Sequence, residues 1–337
     1  MRHLRQSLPI GLCMMLLSGS NVFAEDKVAL SLDWIVNGTH AGYFVAREKG
    51  FYKNAGLDVT ISRGFGSGDT VKRVANGSAT FGIADTGAVI AARANDDVPV
   101  RIVAMIYDRS SLGLIYLKQS GITSPKDLEG RKLGRSASGA SVNMLPGFFK
   151  VNGVDRSKIS EVVIDGALFL PMLMSGQVDA VTEQAINAGR FKKAAKDAGK
   201  EALVMRYADY GLSSYGNALL ASASTVQDKA DLVKRFTEAT LKGIAYAIDH
   251  QDEAISILRI SNPEVEAEGA MDELQVLKET ESTPDVGQHG IGYIDERKLA
   301  ATIETVTSAL SLKRTLQLNE LYAQGFLPKD PVLLAKK

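Results

Sequence analysis

The residues best placed for chemistry in this sequence are grouped as binding loops are grouped, and no catalytic set emerges from them. Beyond residue 24 the only histidines are His40, His250 and His289, far apart in the chain. There is no H-E-x-x-H pair, no Cys/His cluster and no G-x-S-x-G elbow, so neither a metal centre nor a serine nucleophile is indicated. The single tryptophan, Trp34, falls in Asp33-Trp34-Ile35-Val36-Asn37-Gly38-Thr39-His40. An aromatic face with a polar edge suits a flat ring, and the plain alternative is a core residue. Asn37 and His40 can add edge hydrogen bonds. His40 is open to three readings: a satisfied loop histidine, a ligand donor, or the base of an enzyme. Gly64-Phe65-Gly66-Ser67-Gly68 has neither the dinucleotide glycine spacing nor the P-loop Gly-Lys-Ser/Thr. It reads as a turn and helix cap, or as a polar-ligand contact through Ser67 and backbone N–H groups beside Phe65. Asp85-Thr86, then Arg135-Ser136 with Ser138, then Glu183 with Asn187, and finally Tyr215 complete the candidates. Arg135 and Arg109 can counter an anion, or be solvated or structural arginines. Glu183 can accept from an amino group, or merely be an acid favoured at a helix start. Nothing in the set calls for a cofactor or a metal.

The elements that must present these residues follow from the hydrophobic pattern. Strand-like runs at 28–32, 57–61, 80–83 and 100–106 alternate with helical patterns at 41–53 and 86–95. From about residue 114 a second unit repeats the plan, with strands at 132–134, 160–164, 180–182 and 202–207 and helices at 140–151, 168–175 and 186–198. Such a rhythm predicts an α/β fold with mostly parallel sheets flanked by helices. Ligands of such sheets bind beyond the carboxyl ends of the strands, and every candidate loop above falls there. The rhythm breaks near residues 108 and 216. It divides the chain into a first lobe of 25–108 plus 216–337 and a second of 109–215, joined by two crossings with a ligand cleft between them. After residue 222 helices dominate, and 231–250 places Leu232, Phe236, Ile244 and Ile248 on one face.

Composition narrows the setting. Arg2 and Arg5, an apolar run from 8 to 17 and the small-residue ending Val22-Phe23-Ala24 make a secretory leader, cleaved after Ala24. The apolar run is about half the length a spanning helix needs. Cys13, the one cysteine, lies inside this leader, so the mature chain has no thiol for a disulfide, a metal or a nucleophile. Loss of Arg2 and Arg5 leaves 37 basic against 39 acidic residues, a balance that excludes nucleic acid as a partner. The expected protein is a periplasmic monomer that takes a small-molecule ligand.

Three stretches together carry a family likeness. LDWIVNGTHAGYFVAREKGFYKNAGLDV (32–59), GSGDTVKRVANGSATFGIAD (66–85) and SPKDLEGRKLGRSASG (124–139) resemble the periplasmic binding proteins for thiamine-pyrimidine precursors, nitrate and alkanesulfonates. The resemblance implies the bilobal type II periplasmic-binding-protein fold and delivery of the ligand to the membrane permease of an ABC importer. Within that family the loop after the first strand is most like the pyrimidine-binding branch, which implies ligand roles for Asp33, Trp34, Asn37 and His40. The second lobe departs from the branch: Ala137-Ser138-Gly139 stands where a Gly-Glu-Phe-Gly-like loop is common. The family also includes a fungal enzyme that builds the pyrimidine from its own histidine, and the cysteine-rich motif of that enzyme is absent here. Three readings follow: a pyrimidine-precursor binder, a nitrate or sulfonate receptor, and an enzyme of the same fold.

Overall fold

The computed structural model describes residues 25–335. The leader, its cleavage point and Cys13 fall outside them. Ten strands form two sheets. β1 (Asp26–Ser31), β2 (Leu57–Ser62), β3 (Phe81–Asp85), β4 (Val100–Met105) and the late strand β10 (Asn217–Ser222) make the first, in the order β2-β1-β3-β10-β4. β5 (Gly113–Leu117), β6 (Lys132–Arg135), β7 (Ser160–Val163), β8 (Ala180–Thr182) and β9 (Ala202–Arg206) make the second, in the order β7-β6-β8-β5-β9. The two orders are the same plan written twice. In each sheet four strands share one direction, and the strand that follows a crossing, β5 or β10, runs against them.

The burial pattern explains the placing. The edge strand β2 alternates inward Leu57 and Val59 with outward Asp58 and Thr60, as a strand with one wet face must. β3 and β5 are buried at every residue, as central strands covered on both faces are. Each strand expected from the sequence lies within two residues of its place. The reversal of β5 and β10 was not expected, because an apolar run carries no information about strand direction. The helix expected at 41–53 is two, Ala41–Glu48 and Phe51–Asn54, parted at Gly50, whose φ of 77° ends the first turn cleanly.

Helix Ala41–Glu48 lies against the long helix Ala230–Asp249 at a crossing made by Gly42 and Gly243. A Cβ on Gly42 would come within 2.7 Å of the Ile244 Cα, so only glycine permits this approach. Below it, Tyr52, Phe236 and Phe81 stack with centroid distances of 5.3 and 4.0 Å, joining two helices to the sheet. This core holds β1 and β3 rigidly and so fixes the loops at their carboxyl ends. Phe148 and Tyr207 stack at 4.2 Å in a second core that joins helix Ala140–Val151 to the end of β9.

Candidate functional site

The carboxyl ends of β1, β3, β6 and β8 converge between the two sheets. Asp33 leaves β1 and is almost fully buried. Its Oδ1 faces His40 Nε2 at 3.0 Å, and its Oδ2 accepts from Asn217 Nδ2 at 2.9 Å and Gln184 Nε2 at 3.4 Å. The His40 tautomer follows from its other nitrogen. Nδ1 accepts from the Asn37 backbone N–H at 3.2 Å, so Nε2 carries the proton and donates to Asp33. Asn37 caps the short 3-10 turn Gly38–His40, its Oδ1 accepting from Thr39 N, while its Nδ2 donates across to Asn187 Oδ1 at 3.1 Å.

Trp34 crosses from the first sheet's loop into the second sheet's apolar cluster, beside Phe169, Val181 and Phe191. Its Nε1 donates to Glu183 Oε2 at 3.2 Å. Gly166 presses on the ring so closely that a Cβ there would overlap it. Glu183 also accepts from Arg190 NH2 at 3.0 Å, Asn187 Nδ2 at 3.0 Å and the Gln184 N–H at 2.9 Å. Burial raises the Glu183 carboxyl, and Arg190 is the strongest opposing influence.

Between these groups lies a narrow cavity of about 10 Å³, room for about one water. Asp33, Trp34, Ser67, Glu183 and Thr182 line it with Gln184, Ser141, Ala140 and Gly139. Thr182 Oγ1 is buried there without a partner. A larger groove of about 620 Å³ runs beside the two crossings. Of the expected residues it holds only Arg109, and its charges are mixed, Arg109, Arg206 and Lys298 against Asp209 and Glu279. The small cavity sits where both sheets present strand ends and is the better candidate.

Of the expected residues the structure brings Asp33, Trp34, Ser67 and Glu183 onto the cavity. Asn37, His40, Asn187 and Ser136 stand behind them, each spent on a neighbour; Ser136 Oγ accepts from Gly139 N at 2.8 Å. Ser138 closes the two halves together, its Oγ donating to the Phe65 carbonyl at 3.0 Å and its carbonyl accepting from Gly68 N at 3.1 Å. Asp85 caps helix Thr86–Asp96 through Gly87 and Ala88 N–H, and burial pushes its carboxyl up to about 7. Thr86 donates to the Gly216 carbonyl at 2.6 Å. Three more expected residues are placed elsewhere. Phe65 is half-exposed under the Arg63 guanidinium. Arg135 pairs with Glu161 on the neighbouring strand at 2.5 Å and so is not aimed at the cavity. Tyr215 is buried with its hydroxyl accepting from Asp295 N at 3.0 Å. Thr182, Ser141 and Asn217 were not foreseen. Asn217 opens the reversed strand β10, and an unrecognised strand start hides its first side chain.

The comparisons with known proteins fit this geometry. The family described as NMT1/THI5 like matches residues 37–254, well over half of the chain. The chain belongs to the NMT1/THI5-like family. A formylaminopyrimidine-binding protein of Halalkalibacterium halodurans is 26% identical over 72% of this chain and 72% of its own. The riboflavin-binding protein RibY of Chloroflexus aurantiacus is 25% identical over 90% of this chain and 86% of its own. NMT1/THI5-like relatives also include a protein named as a 4-amino-5-hydroxymethyl-2-methylpyrimidine phosphate synthase in Legionella pneumophila, 24% identical over 72% of this chain and 75% of its own. Among solved structures, the alkanesulfonate-binding protein SsuA of Xanthomonas axonopodis pv. citri bound to MOPS superposes with a TM-score of 0.68 at 13% identity, covering 89% of this chain and 99% of that one. The fold is therefore that of the periplasmic binding proteins. Among the described residues no helix is long and apolar enough to cross a membrane.

Proposed function

We propose that this chain is the periplasmic substrate-binding component of an ABC importer, exported by its leader and cleaved after Ala24. Its ligand is a small, flat, neutral or weakly charged heterocycle, with a thiamine-pyrimidine precursor as the best single reading. Residues 25–108 with 216–337, and residues 109–215, are the two lobes that close on it as a monomer and present it to the permease. The observation that carries the ligand class is the charge of the cavity wall. Asp33 and Glu183 line it, Trp34 offers a ring face, and no Lys or Arg is among the lining residues. Glu183 is spent on Arg190 and its other donors, but Asp33 Oδ1 has one partner only and can take an amino or ring N–H while repelling nitrate or a sulfonate.

The enzyme reading draws support from the synthase relative, but the His40 geometry argues against it. Both ring nitrogens are engaged, by Asn37 N–H and by Asp33, and the ring is buried behind the cavity wall. A base or donor needs a free nitrogen within reach of its substrate. The deciding experiment is calorimetry on the mature protein with 4-amino-5-hydroxymethyl-2-methylpyrimidine, its formylamino relative, riboflavin, nitrate and taurine, followed by recovery of the ligand. A pyrimidine bound one per chain and returned unchanged is expected. Tight binding of the anions alone overturns the ligand class. Turnover that His40→Ala abolishes overturns the binding reading.

A further inference from the structure

Arg190 is absent from the cavity wall, yet it governs a residue that is on it. It is the second residue of helix Gly189–Asp197 and the one cation within ion-pair distance of Glu183 among the described residues. The Glu183 oxygen it donates to, Oε2, is the one that accepts from Trp34. On its other side stands helix Ala267–Glu281, whose Glu273 is buried, with Oε2 accepting from Gly38 N at 2.8 Å and Oε1 without a partner. Arg190 Nε is likewise buried without a partner. The two helices touch at glycines. A Cβ on Gly189 would lie 3.4 Å from Glu273 Cγ, and one on Gly269 would lie 3.2 Å from Arg190 Cα. Arg190 thus pairs with Glu183 on one side of the cleft and lies against the helix that buries Glu273 on the other.

We propose that Arg190 is the positioning residue of the cleft: it fixes the direction of the Glu183 carboxylate and keeps it an acceptor, so that Glu183 holds the Trp34 N–H and sets the ring against the ligand. This rests on the ligand class proposed above. The reason is electrostatic. Burial favours the protonated acid at Glu183, and Arg190 opposes this more than Asn187, the Gln184 N–H or Trp34 does. Without Arg190 one Glu183 oxygen takes a proton and turns from acceptor to donor. The other charged groups facing this region are Glu273, Asp272 and Glu266 on or before the opposing helix, Lys193 with its partners Asp197 and Glu268, and the Asp33–His40 pair.

Trp34 gives a readout that needs no ligand, because it is the only tryptophan and donates to Glu183. Its emission in the mature protein is followed from pH 4 to 9 in wild type, Arg190→Gln, Arg190→Lys and Glu183→Gln. The expected result is a transition in wild type that Glu183→Gln abolishes. Its midpoint rises by about 1 pH unit or more in Arg190→Gln, the size of losing a close opposite charge. Arg190→Lys, which keeps the charge, stays near wild type. Arg190→Met carries the same expectation if the Gln variant does not fold. Affinity for 4-amino-5-hydroxymethyl-2-methylpyrimidine is lost in Arg190→Gln below its emission midpoint and recovers as pH is raised past that midpoint. A midpoint unmoved by Arg190→Gln, or a loss of affinity that is the same at every pH, overturns the proposal. If wild type ignores the pyrimidine, the ligand class falls, while the emission arm still decides the role of Arg190.

Discussion

Trp34 is 7% exposed, and its ring packs on Phe169 at 6.0 Å within a cluster otherwise built from the second sheet and its helices. It also lines the cavity. A side chain in both places carries two separable costs. Trp34→Ala is expected to weaken pyrimidine binding by roughly 2–4 kcal/mol, the scale of an aromatic hot spot. It is also expected to lower thermal stability, since truncating a buried aromatic costs about 3–5 kcal/mol and each kcal/mol is worth roughly 2 °C or less in a chain of this length. Calorimetry and a thermal melt measure the two, and a variant that loses neither would show the ring is idle in both. The loop that holds Trp34 was legible, because strand ends and glycines mark it. Side-chain direction was not. Arg135 turns to Glu161, 26 residues on, and Tyr215 to the Asp295 N–H, 80 residues on. Partners that distant leave no local pattern to read.

At the scale of the element, helix Ala267–Glu281 is the least expected part. Its two buried acids, Glu273 and Glu281, are about two turns apart and lie on the face that also buries Ala270, Leu274 and Leu277. Periodicity sorts acids to the wet face, so the sequence could not show them inside. Each accepts one backbone N–H, from Gly38 and from Asp108. Burial pushes both carboxyls up to about 8 from an ordinary 4.5. The sign follows from proton uptake. Between those values the folded chain holds more protons than the unfolded one, so the stability these acids contribute is full below pH about 4.5 and is lost as pH rises through about 8. Carboxyls held low, such as Asp127 and Glu129 at about 2, act only in acid below that window. The melting temperature is expected to fall from pH 5 to pH 8. Glu281→Gln, which keeps the Oε1 acceptor and removes the charge, is expected to flatten the fall. Melts of both proteins across this range test it, and parallel slopes would count against Glu281 as the source.

Across the whole molecule, the two sheets stand closed on each other. Besides Trp34 and Ser138, the pairs Asn37–Asn187, Asp33–Gln184 and Lys193–Glu268 span the gap at 3.1, 3.4 and 3.3 Å. A cavity of about 10 Å³ admits no ring, so a ligand of the proposed class requires the halves to part about their crossings. A Cβ on Gly68 would lie 3.3 Å from Ser138 Cβ, close to the roughly 3.8 Å of a disulfide. Beyond residue 24 the sequence has no competing thiol. The pair Gly68→Cys and Ser138→Cys is therefore expected to bind pyrimidine when reduced and to exclude it when oxidised. Calorimetry with and without reductant is the measurement, and equal binding in both states would mean that closure does not bar the ligand. The succession of strands in the two sheets was legible from the βα rhythm. The depth of their closure was not, because it is made by contacts between residues 70 to 150 apart.

The reversed strand of the first sheet also imposes a timetable. β3 and β4 are separated in that sheet, and β10 alone bridges them. Until residues 217–222 are available, the N-terminal portion owns a three-stranded piece, β2-β1-β3, and the lone strand β4, and cannot join them. The second sheet needs only residues 113–206, one unbroken stretch of chain. The portion made first is thus the portion completed last, which suits the export proposed for it.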